Sequence, residues 1–245
     1  MMLCLSPFSR RRFMRLFGTA ATGLTLAGFK PASAASPPPA TGERGTTYDP
    51  DEVLRELLEG NQHFIRGELT HPGRRPEDFQ PLAKGQRPRA VIVGCADSRV
   101  TPEILFDQGI GDLFVVRVAG NVISGAGAIV EGSIEYAVAE LGVPLVVVLG
   151  HGQCGAVKAV IKHIDEHDPL PGALDDLVNM IKPAVTRAKG QSGDLLENAV
   201  KANVQIGVER LQTLEPVLAD FIKQRKVKVV GATYDLHSGR VTVIV

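Results

Sequence analysis

Hydrophobic and polar positions change their period several times along this chain, and each change marks an element. From Asp51 to Arg66 the apolar residues recur at helical spacing. Val53, Leu54, Leu57, Leu58, Phe64 and Ile65 share one face, and Gly67 suits the position just past a helix end. Four short apolar runs follow, at Ala90–Gly94, Leu113–Val118, Leu145–Gly150 and Val227–Ala232. Their length and continuous hydrophobicity predict strands buried on both faces. Helical stretches are expected at Pro102–Phe106, Ala126–Glu140, Gly155–His167 and Leu196–Leu211. Strands that alternate with helices need crossover connections, and so a parallel sheet. Thr233–Val245 reads as a hairpin turning at His237-Ser238-Gly239. The expectation is an α/β fold: an open parallel four-stranded sheet flanked by helices, with a helix ahead of it and a C-terminal hairpin.

The first 50 residues do not fit that rhythm. Residues 1–34 hold a basic stretch, an apolar stretch from Leu16 to Phe29, and Ala32-Ser33-Ala34, a small-residue cleavage pattern. This is the layout of a signal peptide, cut after Ala34. The apolar stretch is shorter than the ~20 residues that span a bilayer, so no stable membrane anchor is expected after cleavage. Ser9-Arg10-Arg11-Arg12-Phe13-Met14-Arg15 resembles the twin-arginine export signal, which implies transport in the folded state to a periplasmic or secreted location. Residues 35–50, with Pro37-Pro38-Pro39 and Gly42, read as an extended linker, and residues 51–245 as one domain. The formal charge of zero is carried by the leader. Its five basic and no acidic residues, once removed, leave 22 basic against 27 acidic, net −5. A mildly acidic chain lacks the electrostatic footprint of a nucleic-acid or anionic-lipid binder.

Two of the three cysteines, Cys95 and Cys154, lie in the domain; Cys4 leaves with the leader. Cys95 closes the first apolar run and is followed by Asp97 and Arg99. His151 closes the third, and Cys154 comes one turn later at the start of a helix. Two thiolates and one imidazole suit one zinc per chain. Three protein ligands are one short of a closed structural site and match catalytic zinc, which keeps a position for water. Open parallel sheets bind ligands outside the carboxyl ends of their strands, where Cys95 and His151 would converge. The competing reading of two cysteines in an oxidising compartment is a disulfide. His163-Ile164-Asp165-Glu166-His167 matches an inverted zinc-protease pattern but reads as a solvated helix end before Pro169. Gly125-Ala126-Gly127 resembles a dinucleotide fingerprint without its third glycine, and reads as a tight turn into a helix. His63, His71 and His237 are assigned no role.

Cys95-x-Asp97-Ser98-Arg99 together with His151-x-x-Cys154-Gly155 resembles the β-class carbonic anhydrases. The likeness spans about residues 50–245, with Gly60-Asn61, Val116-Arg117-x-Ala119-Gly120-Asn121, Glu197-Asn198-Ala199-Val200 and Tyr234-Asp235-Leu236. The resemblance implies zinc held by Cys95, His151 and Cys154. It implies that Asp97 accepts a hydrogen bond from the reacting water while Arg99 keeps Asp97 ionised and turned from the metal. Gln86 and Gly155 would bind substrate oxygen, and Phe114 and Tyr136 would line the pocket. It also implies a homodimer or larger homo-oligomer, with an N-terminal helical arm laid on a second subunit. The 51–66 helix either is that arm or packs on its own domain. Ile92 stands where some members carry a tryptophan of an inhibitory bicarbonate site; Arg117 matches another part of it.

The chemistry implied is the reversible hydration of carbon dioxide to bicarbonate and a proton. Carbon dioxide needs a strong nucleophile at neutral pH, and zinc lowers the pKa of bound water from 15.7 towards about 7. The same scaffold serves hydrolases of carbon disulfide or carbonyl sulfide, whose substrates are also small, linear and apolar. A non-catalytic zinc or thiol protein is the remaining alternative; Asp97 and Arg99 argue against it, because a structural site needs neither.

Overall fold

The computed structural model describes residues 48–70, 72–166 and 170–245. The expected leader, the linker up to residue 47, His71 and the end of the 163–167 motif lie outside them. Strands β1 (Ala90–Cys95), β2 (Leu113–Val118), β3 (Leu145–His151), β4 (Lys228–Tyr234) and β5 (Val241–Val243) form one sheet in the order β2-β1-β3-β4-β5. The first four are mutually parallel, and β5 returns antiparallel to β4. The expected hairpin therefore extends the parallel sheet by a fifth strand. Its turn is held by Asp235, whose Oδ1 accepts from the His237 N–H at 2.9 Å and whose Oδ2 accepts from Ser238 Oγ at 2.7 Å.

The helices are α1 (Pro50–Arg66), α2 (Pro102–Leu105), α3 (Ala128–Ala139), α4 (Gly155–Glu166), α5 (Ala173–Ala188), α6 (Leu195–Gln212) and α7 (Val217–Lys223). Every residue of β1 and β3 is buried, because both of their faces are covered. Val91, Val93, Val146 and Val148 pack with Ile134 of α3, Val208 of α6 and Leu218 of α7. Their alternates Ala90, Ile92, Leu145 and Val147 pack with Val53 and Leu57 of α1 and Leu105 of α2. Each Val, Leu or Ile among them contributes roughly 1.5–3 kcal/mol by leaving water.

Helix α1 packs on its own domain. Asp49 caps its start by accepting from the Asp51 and Glu52 amides at 2.8 and 3.0 Å, and Gly67 ends it in the left-handed conformation, φ 70°. Buried Asn61 donates from Nδ2 to the Leu105 and Gly239 carbonyls at 3.1 and 2.9 Å, and its Oδ1 accepts from the Val241 N–H at 2.9 Å. That one amide ties α1 to the end of α2 and to the hairpin. Gly60 lets the backbones meet: a Cβ there would sit 1.9 Å from the Phe106 carbonyl oxygen.

Helices α5 and α7 were not anticipated. Leu177, Val178, Ile181 and Val185 give α5 its buried stripe, but Pro183 lies inside the helix, and a proline in a sequence reads as a helix breaker. None of the described helices is long and apolar enough to cross a membrane. The connection after β1 runs to β2 on one side, and the connection after β3 runs to β4 on the other. The carboxyl ends of β1 and β3 thus form the switch point of the sheet, where open α/β folds leave a crevice.

Candidate active site

Cys95 and His151 are the last residues of the two strands at that switch point, and Cys154 stands at the start of α4. Their ligand atoms all lie within 4.8 Å of one another, and all three residues are buried. Both cysteines carry free sulfurs, so the disulfide reading is not realised. The chain reverses between the ligands through Gln153, whose φ of 55° brings Cys154 back beneath His151. His151 Nδ1 lies 2.9 Å from the Gly152 carbonyl oxygen. A carbonyl can only accept, so Nδ1 carries the proton and Nε2 carries a lone pair. That Nε2 is buried and has no hydrogen-bond partner. An unpaired buried acceptor beside two sulfurs fits a soft divalent metal, and the donor set suits zinc.

The sulfurs are surrounded by N–H donors. Cys95 Sγ accepts from the Asp97 amide at 3.4 Å and the Gly120 amide at 3.2 Å. The Cys154 side chain first, then His151 and these amides, hold the Cys95 thiol well below its ordinary pKa, against the opposing effect of burial. Cys154 is pushed up, first by its hydrogen bond to Cys95 and then by burial; the Ala156 and Val157 amides at the start of α4 act in the opposite sense.

Asp97 is gripped by Arg99. Oδ1 accepts from the Arg99 backbone N–H at 3.0 Å and from Nε at 2.9 Å, and Oδ2 accepts from a terminal guanidinium nitrogen at 2.7 Å. These bonds from Arg99 hold the carboxyl far below the usual carboxylate range. Oδ2 lies 3.8 Å from His151 Nε2, so the carboxylate borders the ligand cluster with one oxygen. Arg117, matched in the sequence to part of an inhibitory anion site, instead donates to the Cys95 and Asp97 carbonyls at 3.0 and 2.6 Å and so braces the loop between them.

Other expected site residues are not gathered here by a single chain. Gly155 is, as the first residue of α4 beside Cys154. Phe114 pairs with Val91 near the amino ends of β1 and β2, four positions before the Cys95–Val118 pair. At about 3.3 Å per residue it lies roughly 13 Å back along the sheet. Tyr136 lies tilted against that ring, with centroids 6.3 Å apart, and is half exposed. Gln86 is exposed ahead of β1.

Residues 90–241, more than half of the chain, match the carbonic anhydrase family model. A carbonic anhydrase of Mycolicibacterium smegmatis is 42% identical over 193 residues, covering 79% of this chain and 92% of that protein. Carbonic anhydrase 2 of Mycobacterium tuberculosis is also 42% identical, over 78% of this chain and 91% of its own length. The solved structure of the β-carbonic anhydrase CcaA is 30% identical with a TM-score of 0.62, covering 78% of this chain and 87% of that one. The chain belongs to the β-carbonic anhydrases. Its reaction is the reversible hydration of carbon dioxide, and nothing among these relatives favours a sulfur-analogue hydrolase or a non-catalytic zinc protein. A tetrameric β-carbonic anhydrase of Sordaria macrospora superimposes with a TM-score of 0.62 at 25% identity, covering 79% of this chain and 97% of that one.

Sequence reasoning missed the groups behind the ligands: the Gly152 carbonyl, the Gly120 amide and Asn203 of α6, which donates to the Gly120 carbonyl at 2.8 Å. The signals were an asparagine on the buried face of a helix and a glycine following two strand-like residues. Neither has a distinctive spacing.

Proposed function

We propose that this carbonic anhydrase works with one zinc per chain held by Cys95, His151 and Cys154. The observation that carries the reading is the unpartnered, buried His151 Nε2 within 4.8 Å of both sulfurs. When bound, zinc supplies the Lewis acidity that makes water a nucleophile near neutral pH. Asp97 stays ionised and acts as an acceptor. Its Oδ1 is filled by two Arg99 donors, while Oδ2 has one donor and faces the ligand cluster. Oδ2 therefore holds the proton of the attacking water and turns that oxygen's lone pair towards the carbon. The Gly155 amide and the Gln86 side chain donate to the substrate oxygen on which charge grows. Phe114 and Tyr136 supply an apolar wall for carbon dioxide. Dialysis against a strong chelator should abolish hydration, and zinc alone, under reducing conditions, should restore it; full activity in a metal-free sample would refute the reading.

Gln86, Phe114 and Tyr136 reach this site from a second copy of the chain, in a homodimer that can assemble further. Support comes from the separation of Phe114 and Tyr136 from Cys95 within one chain, from β2 standing at the sheet edge, and from Ile129 of α3, exposed at 83%. Mixing inactive Cys154→Ala with inactive Gln86→Ala tests this. Subunit exchange places both lesions in one site and leaves the other intact, so activity should reappear; no recovery after verified exchange would contradict shared sites. Export by the twin-arginine route to the periplasm or beyond is also proposed, on the strength of Ser9–Arg15 and the weakly apolar segment after it.

A further inference from the structure

We propose that Asn203 is a positioning residue for the metal ligand Cys95, acting through Gly120. Asn203 is only 7% exposed on α6, between the fully packed Ala202 and Val204. A buried amide on an apolar helix face needs a partner. It has one: Nδ2 donates to the Gly120 carbonyl oxygen at 2.8 Å. The Gly120 N–H in turn donates to Cys95 Sγ at 3.2 Å, also in a buried setting. The two bonds join α6 to the last residue of β1 through one residue of the connecting turn.

Gly120 needs such a hold. Its φ and ψ of 68° and 19° lie in the left-handed region, where glycine is at ease but also free to leave. A Cβ there would sit 2.7 Å from Ile181 Cδ1 and 3.2 Å from Ala156 Cβ, so a larger residue cannot supply the missing stiffness. Packing from α4 and α5 confines the Cα, and Asn203 fixes the carbonyl. With both fixed, the N–H is aimed at the sulfur. Cys95 then has its two backbone donors, from Asp97 and Gly120, in set directions, and its sulfur is held where His151 and Cys154 converge. Groups behind a ligand that fix its orientation typically change metal affinity 10- to 100-fold when removed.

The inference rests on the zinc reading above, and its test separates the two. Zinc affinity is measured by chelator competition for the unaltered protein, Asn203→Leu, which keeps the branched outline and loses the donor, and Asn203→Ala. Cobalt(II) replaces zinc in parallel, and its thiolate charge-transfer band reports the sulfur geometry. Expected are a 10- to 100-fold weaker zinc site and a shifted cobalt band in both variants. Affinity within twofold of the parent and an unchanged band would overturn the inference, whatever the melting temperatures, and would leave Asn203 a purely structural role. A third measurement needs no variant. In the unaltered protein loaded with cadmium-113, the Gly120 amide proton should show coupling to the metal through the N–H···S bond. Coupling seen for the ligand protons but not for Gly120 would overturn it. An unaltered protein that bound none of these metals would overturn the zinc reading and this inference together.

Discussion

Asp97→Asn is the substitution that isolates the chemistry from the metal. Asparagine has the same shape, but one oxygen becomes a donor, and the surroundings decide which. At the Oδ1 position an NH2 would face two donors, the Arg99 backbone N–H and Nε, at 3.0 and 2.9 Å. At the Oδ2 position it would face one, at 2.7 Å. The amide therefore keeps its oxygen at Oδ1 and places its NH2 at Oδ2, the atom that borders His151 Nε2 at 3.8 Å. The site loses its acceptor and gains a donor where the water proton should point. Loss of one positioned proton acceptor costs about 100-fold or more in rate, which corresponds to about 2.7 kcal/mol of barrier. Stopped-flow hydration with a pH indicator, on samples of known zinc content, measures it. Full zinc with a hydration rate within threefold of the parent would refute the acceptor role of Oδ2.

Arg99→Leu removes two of the three donors to Asp97 and lets its carboxyl rise towards the ordinary range. The freed Oδ2 can turn into the ligand cluster, so hydration should fall about tenfold or more with zinc retained; an unchanged rate would refute the holding role. The held carboxyl lies below its unfolded value, so this pair's contribution to stability is complete above about pH 4 and is lost as pH falls below it. Acid-unfolding curves of the parent should show that loss, and Arg99→Leu should not. Removing zinc under dissolved oxygen should yield a Cys95–Cys154 disulfide that zinc alone cannot reverse and reductant plus zinc can; mass spectrometry showing two free thiols would contradict this. Gly60→Ala puts a methyl against the Phe106 carbonyl and should destabilise the fold by about 1–3 kcal/mol, read as a lower melting temperature. Changing Arg10 and Arg11 together to Lys should strand the protein in the cytosol, and unchanged export would point to another route.

The parallel sheet was legible because β1 and β3 are buried on both faces, so every position must be apolar or small, and a short apolar run has few other readings. The meeting of Cys95, His151 and Cys154 was legible because residues at the carboxyl ends of neighbouring parallel strands converge at one edge of the sheet. Helix α5 was not, because Pro183 inside it reads as a helix breaker, although the stripe through Ile181 and Val185 is present. The Asn203–Gly120–Cys95 connection spans 83 and 25 positions, and depends on a left-handed φ that residue identity permits without requiring. The distance of Phe114 from Cys95 was also hidden, since a strand assignment does not say which end of the sheet a residue serves until the register is known.

Zinc content and carbon dioxide hydration, measured on one sample of the unaltered protein and one of Cys154→Ala, test the central claim most directly. The account predicts about one zinc per chain and rapid hydration in the first, and loss of both together in the second. Cys154→Ala retaining full zinc and the parent's hydration rate would contradict it.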